Sequence, residues 1–491
     1  MALSFAAADA NAMRITKRLV FTCPLILLCC SCLQTPQTPA TPVTAVTPPT
    51  PVAGAKTDKP KNVILMIGDG MGFAQVKAYR YYADDPSTPL IEPLPFDRYL
   101  VGAVVTDSIF MNCGEGGAPP CVRDPYAITD SASAATTYAT GQDTLIGRLG
   151  LSPTGEIQQN IIEMARRNGK SAGLVATSQI THATPAAFAA HVLDRYQYSD
   201  IADQLFDNQW DKTPLASVLL GGGTSDLQRT DRDLVAEFTQ AGYTYVSNRD
   251  ELLQADAPRL LGLFAPWGLA RAWDRDENVP SLADMTRAAL KALEQNQQGF
   301  FLMVEGSQID WAAHADDIAG VVSETEDFSK AIEVALEFAA QQGDTLVVIT
   351  ADHETGGMSL GRDDIYHWDP RPLRGMKKTP AAMTEEYLAG SEPLSQVVAR
   401  SVPFTLTAEE QTRLDNYPRE VPSDPAYGVD GIGAYMGIND MMSKRTVTGW
   451  STLGHTGVDV PLYAVGPGSE NFRGLLQNEE LGQRLQAALL P

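Results

Sequence analysis

The chain has 491 residues, and its 37 Lys and Arg against 60 Asp and Glu give a net charge of −23. With 44% hydrophobic and 20% charged residues it has the composition of a globular protein with a large core, neither disordered nor fibrous. The acid excess argues against a nucleic-acid binder, whose affinity depends on clustered Lys and Arg.

Arg14, Lys17 and Arg18 precede an apolar run, Leu19 to Cys30. Spanning a bilayer takes about 20 residues, so this shorter run reads as the core of a signal peptide over residues 1–32, with Met13 as an alternative start. The stretch Leu27-Leu28-Cys29-Cys30-Ser31-Cys32 resembles a bacterial lipoprotein cleavage site, imperfectly at both Cys30 and Cys32. The expectation is export to the periplasm or cell surface on a lipid anchor, with plain secretion as the alternative. Residues 33–61 are rich in Thr and Pro, favour extended polyproline II, and would space the following domain from a membrane.

From Asn62 the pattern is α/β. Apolar runs suit buried parallel strands at Asn62–Ile67, Ala172–Ala176, Ser217–Leu220, Phe300–Val304 and Thr345–Ile349. Helical stretches alternate with them at Ile157–Arg167, Ser281–Gln297 and Ser323–Gln341. Alternation of this kind predicts a doubly wound, mostly parallel sheet with helices on both faces and a ligand site beyond the carboxyl ends of its strands. Residues 361–450 break the alternation and read as a large insertion or cap within a catalytic domain spanning 62–491. Cys113 and Cys121 flank a Gly/Pro loop; in an exported protein a disulfide is the expected state, with free thiols as the alternative.

Chemistry-bearing residues collect at the predicted strand ends. Gly68-Asp69-Gly70 puts a carboxylate at the sheet edge. Asp130-Ser131 opens a small-residue helix that Gly141 can end, so Ser131 sits where N–H groups and the dipole favour an anion. No histidine lies near Ser131 in sequence and no GxSxG surrounds it, so activation would need a metal. Thr184-Pro185 reads as a helix cap followed by Pro at the first helical position, near His182. Arg195 could fork onto a phosphate or simply pair with a surface acid. Asp310 and His314 share a helix face, with Glu305 at the strand end before them. Asp352-His353 and Gly454-His455 complete the set. Four of the six histidines fall in these motifs; His191 and His367 read as structural.

The set IGDGMG, TDSASA, THATPAAFAAH, VEGSQIDWAAH, TADHETGG and GHTG, spread from about Asn62 to Gly468, resembles the metal-dependent alkaline phosphatases. The resemblance implies a phosphomonoesterase acting through a phosphoserine at Ser131, and the N-terminal segment implies that it is exported. It implies one zinc on Asp310, His314 and His455, a second on Asp69, Asp352 and His353, and a third metal, usually magnesium, on Asp69, Thr184 and Glu305. Arg195 would clamp phosphate, Asp130 would help orient it, and a homodimer is compatible with the resemblance. His182 and Trp311 stand where many bacterial members carry Asp and Lys, which bears on the third metal and the phosphate pocket. A sulfatase lacks its CxPxR-like context here, a diesterase shares the architecture, and a metal- or phosphate-storing lipoprotein would have lost a ligand or the nucleophile.

Overall fold

The computed structural model describes residues 59–114, 118–124, 126–419 and 432–490. The expected signal peptide, Cys30 and Cys32, and the Thr/Pro spacer up to residue 58 lie outside the described residues. The side chains of Cys113 and Cys121, and with them the expected disulfide, are also outside. Their backbones run in two antiparallel strands, Phe110–Gly114 and Ala118–Asp124.

A ten-stranded sheet organises the chain. Its strands are β1 (Asn62–Gly68), β2 (Leu100–Val104), β3 (Ser171–Gln179), β4 (Val218–Gly222), β5 (Thr244–Val246), β6 (Leu260–Leu263), β7 (Phe300–Gly306), β8 (Thr345–Thr350), β9 (Val460–Val465) and β10 (Gly474–Leu476). In space they run β10-β2-β9-β8-β1-β7-β3-β4-β6-β5. Every neighbouring pair is parallel except those made by β9, which is antiparallel to β8 and β2. Strands β1, β7 and β8 are buried at every position, which is why their sequences read as unbroken apolar runs rather than alternation. The register sets Ile67 beside both Glu305 and Thr350, and Glu305 beside Ala176. Strands β1, β7 and β8 therefore end together while β3 runs on to Gln179, and the residues that follow them share one edge of the sheet.

The helices that matter for that edge are α1 (Ser131–Thr140), α2 (Ile161–Arg167), α3 (Ala183–Ala187), α4 (Leu282–Leu293), α5 (Gln308–Ala313) and α6 (Ile318–Gln342). Ser281 and Asp284 form a capping box at the start of α4, as the sequence predicts. Helix α2 begins later than expected from Ile157, because Asn160 and Glu163 form a capping box there. Helix α6 begins earlier than Ser323, because the Asp317 carboxylate accepts from Gly320 N–H and caps it. Thr184 is not the cap of α3; His182 holds that position with extended backbone, and Thr184 lies inside the helix.

Within residues 361–450 the described chain forms four helices, Pro380–Ala389, Leu394–Ser401, Ala408–Asp415 and Ile432–Thr446. Two short antiparallel pairs bracket them. Ser359–Leu360 pairs with Thr448–Gly449, and Glu354–Thr355 pairs with His455–Thr456.

One buried ion pair ties α4 and α6 to the segment before them. Arg275 Nη1 lies 2.7 Å from Asp327 Oδ2, with side chains only 5% and 7% exposed, and Leu282 N–H also points at Asp327. Arg275→Leu alone is expected to cost about 3–5 kcal/mol, because it strands a buried carboxylate. Replacing both partners by Leu should cost less. Urea unfolding of the single and double variants checks this; a double variant as unstable as the sum of the singles would overturn it.

Candidate active site

Ser131 opens α1, buried. Asp130 caps the helix by accepting from Ser133 N–H at 3.0 Å, and Gly141 ends it in the left-handed conformation. The residues of α1 are small apart from Tyr138, and all of them are buried. Tyr138 donates to the Ala351 carbonyl at 2.8 Å, tying α1 to the loop after β8.

That loop brings His353 Nε2 to 3.2 Å from Ser131 Oγ. The sequence shows no histidine near Ser131, and the fold supplies one from more than two hundred residues away. The same Nε2 lies 3.2 Å from Asp352 Oδ2 and 3.5 Å from Asp69 Oδ1. Thr355 donates its hydroxyl proton to Asp310 Oδ1 at 2.5 Å, so toward His353 Nδ1, 3.3 Å away, it can only accept. The network thus assigns the proton to Nδ1 and leaves the Nε2 lone pair facing two carboxylates. Burial holds the His353 imidazole well below its ordinary pKa, so it is neutral. A lone pair aimed at buried carboxylate oxygens is repulsive unless a cation sits between them.

The second group repeats this logic. His314 Nδ1 lies 2.5 Å from the Leu453 carbonyl and His455 Nδ1 lies 2.9 Å from the Thr129 carbonyl, so each Nδ1 carries the proton. Their Nε2 atoms lie 3.2 Å apart, and 3.3 and 3.6 Å from the carboxylate of Asp310. The rings of His353 and His455 stack at 3.6 Å, joining the two groups. A third group comprises Asp69, His182 and Glu305. Thr184, inside α3, is fully buried. Each set offers ligand atoms within 4.8 Å of one another.

The carboxylates are strongly perturbed. Burial, then the neighbouring charges of Asp352, Asp310 and Glu305, pushes Asp69 well above the usual range. Burial raises Glu305 to about 8 and Asp352 to about 6. Burial also acts upward on Asp310, but His314 outweighs it and holds that carboxyl well below the usual range. Both oxygens of Asp69, both of Glu305, Oδ2 of Asp352, the Thr184 hydroxyl and His182 Nδ1 are buried without a hydrogen-bond partner. Leaving so many polar atoms unpaired in one place is costly. Divalent cations satisfy them, and the donor set of oxygen and imidazole nitrogen suits zinc and magnesium. The residues fit the metals that the resemblance implies.

Arg195 is not the surface pair its sequence context allows. It turns inward, with Nη1 3.0 Å from Asp130 Oδ2 and Nη2 3.3 Å from His182 Nε2. Asp130 in turn accepts from Gly147 N–H. Trp311 stands edge-on to His182 with ring centroids 5.5 Å apart, so the two residues at the unusual positions touch. Gly70 permits the approach of α5: its φ is +70°, and a Cβ there would fall 2.8 Å from Asp310 Cα. Thr355, Gly147 and the carbonyls of Thr129 and Leu453 complete the site without being singled out by sequence. Of these Thr129 and Thr355 left a signal, in the TDSASA and TADHETGG motifs.

Fold and centre together define a hydrolase of the metal-dependent kind. The family model described as alkaline phosphatase matches residues 60–490. The chain is 42% identical over 433 residues to alkaline phosphatase 3 of Bacillus subtilis, covering 88% of this chain and 89% of that one. A cold-active alkaline phosphatase from a psychrophilic Shewanella superposes with a TM-score of 0.75 at 34% identity, covering 88% of this chain and all of that one. The Thermus thermophilus alkaline phosphatase gives 0.73 at 26% identity, covering 91% and 96%. The chain belongs to the alkaline phosphatase family, and its activity is the hydrolysis of phosphate monoesters.

Proposed function

We propose that the protein hydrolyses phosphate monoesters through a covalent phosphoserine at Ser131. The observation that carries this is the Ser131 hydroxyl at a helix N-terminus, 3.2 Å from His353 and beside carboxylates whose oxygens have no partner. Asp310, His314 and His455 would hold one zinc; Asp69, Asp352 and His353 a second; Asp69, Glu305 and Thr184 a magnesium, with His182 beside them. Bound there, divalent ions supply the charge that makes a buried hydroxyl nucleophilic and steadies a departing oxygen.

The chain's own residues do the rest. Ser131 Oγ attacks phosphorus as the ester oxygen leaves, and water later cleaves the Oγ–P bond to free phosphate. N–H groups in the first turn of α1 face the incoming anion. Arg195, kept protonated beside Asp130, clamps phosphate oxygens with its fork, and Asp130, anchored by Gly147 N–H, fixes the fork's direction.

Hydrolysis of p-nitrophenyl phosphate, with chelation and add-back of zinc and magnesium, tests this reading. Activity is expected to vanish on chelation and to return fully only with both metals. Undiminished activity after complete chelation would overturn it, and faster cleavage of bis-p-nitrophenyl phosphate would point to a diesterase. Export on a lipid anchor rests on the segment from Arg14 to Cys32, and homodimer assembly on the family resemblance. Loss of membrane fractionation in a Cys30→Ser, Cys32→Ser variant is the corresponding check.

A further inference from the structure

His191 lies outside the ligand groups, yet it joins the two loops that carry the phosphate-binding pair. Segments 147–150 and 191–195 run together. Leu149 and Val192 exchange both backbone hydrogen bonds at 3.0 Å, and Arg195 N–H donates to the Gly147 carbonyl at 2.8 Å. The N–H of the same Gly147 reaches Asp130 Oδ1 and Oδ2 at 3.2 and 3.1 Å. Any sliding of one segment against the other therefore moves Arg195 relative to Asp130.

His191 closes the far end of this ladder. Its Nδ1 lies 2.8 Å from the Gly150 carbonyl, and its Nε2 lies 3.5 Å from Glu163 Oε1 on α2. Gly150 has φ +62°, and a Cβ there would collide with the imidazole. The backbone of His191 is pinned in turn by the Gln204 side chain, which accepts from its N–H and donates to its carbonyl. Both ring nitrogens thus face acceptors, a carbonyl and a carboxylate. A neutral imidazole has one N–H, which the Gly150 carbonyl takes; protonation adds a positive charge that pairs with the Glu163 carboxylate across 3.5 Å.

We infer that His191, as a doubly protonated clamp between the Gly150 carbonyl and Glu163, is a positioning residue for the Arg195–Asp130 phosphate grip, and that loss of its proton loosens that grip. This rests on the reading of Arg195 as the phosphate clamp. Burial disfavours the charged ring, but the Glu163 carboxylate and the Gly150 carbonyl outweigh it, so the His191 pKa is raised. Burial pushes Glu163 up, but His191, the Asn160 N–H and, from farther along α2, Arg167 outweigh it and hold the carboxyl low. Glu163 is the charged group facing the ring; Gly150 and Gln204 contribute neutral polar groups. The clamp is therefore complete at low pH and released as pH rises through the raised value.

Competitive inhibition by inorganic phosphate, measured from pH 6 to 10 on the metal-loaded enzyme, tests the inference. The parent Ki is expected to rise across the His191 ionisation. His191→Asn keeps a donor for Gly150 but has nothing for Glu163 and no charge. Its Ki at low pH should be raised by roughly 2- to 5-fold, the scale of one ion pair, with that pH step gone. Glu163→Gln keeps the histidine and should move the step to lower pH. A pH step unchanged in both variants would overturn the inference, as would a Ki raised equally at all pH values, the mark of a merely structural residue. Arg195→Ala separates the two readings. If it leaves Ki unchanged, the phosphate clamp itself is misassigned; if it raises Ki while both other variants behave as the parent, only the role of His191 fails.

Discussion

Ser131→Ala is expected to cut kcat by about 10³-fold or more while leaving metal content unchanged. The substitution removes the one hydroxyl that the N-terminus of α1 presents to the Asp69–Asp352–His353 group. Nothing nearby replaces it. The Ser133 hydroxyl is committed to Asp130 and Thr129, and Thr355 to Asp310. His353 cannot serve as a substitute nucleophile, since its Nδ1–H is held by Thr355 and its Nε2 faces carboxylates. Asp69, Asp352 and His353 all remain in the variant, so metal should stay bound. Mass spectrometry of acid-quenched, digested enzyme should find phosphate on Ser131 in the parent and none in the variant. Phosphate on another residue, or a variant turning over at the parent rate, would show the nucleophile to be misassigned.

Removing the metals should both weaken the fold and make its stability depend on pH. In the metal-free protein Asp69 is raised well above 3.8, Glu305 from 4.5 to about 8, and Asp352 from 3.8 to about 6. Burial is the first cause in each. His314 rises from 6.5 to about 9, with Asp310 outweighing burial. Groups raised in the fold bind more protons there than in the unfolded chain, so stability falls as pH rises through them. His353 and His182 act the other way. Burial, and for His182 then Arg195, lowers them, His182 to about 3, so their opposing effect is complete by about pH 6.5. Between about pH 6.5 and 9 the decline is unopposed. Bound cations replace the protons and should flatten it. At a thousandfold excess over Kd each site also contributes about 4 kcal/mol. Thermal midpoints of chelated and metal-loaded protein across that range decide the matter, and coincident profiles would rule the metal assignment out.

The sheet was legible because buried parallel strands must be apolar on both faces, and Val63–Ile67 and Leu346–Ile349 are so without interruption. The ligands were legible because Asp69, Glu305 and Asp352 stand directly at strand ends, where a doubly wound sheet gathers them. Hidden was everything supplied by backbone. The carbonyls of Thr129 and Leu453 fix two imidazoles, and Gly147 N–H anchors Asp130, yet any residue has a carbonyl and nearly any an N–H. The inward turn of Arg195 was equally invisible, since its partner Asp130 lies 65 residues away. Thr184-Pro185 misled because the Thr-Pro pattern of a cap can also occur two residues later, inside a short helix.

The two strand pairs around residues 361–450 have a consequence for how such a chain can diverge. Thr355 is paired directly with His455, so the last histidine of the site takes its place from a partner beside Asp352 and His353. Ser359–Leu360 and Thr448–Gly449 close a second tie just beyond. Whatever lies between Gly361 and Val447 leaves and re-enters through one narrow neck. Its last helix is the exception, since Asn439 donates to the Ala315 carbonyl and Tyr435 to Asp317, just past His314. Lineages can therefore rewrite the stretch before that helix, by insertion or deletion, without having to rebuild the chemistry at its base.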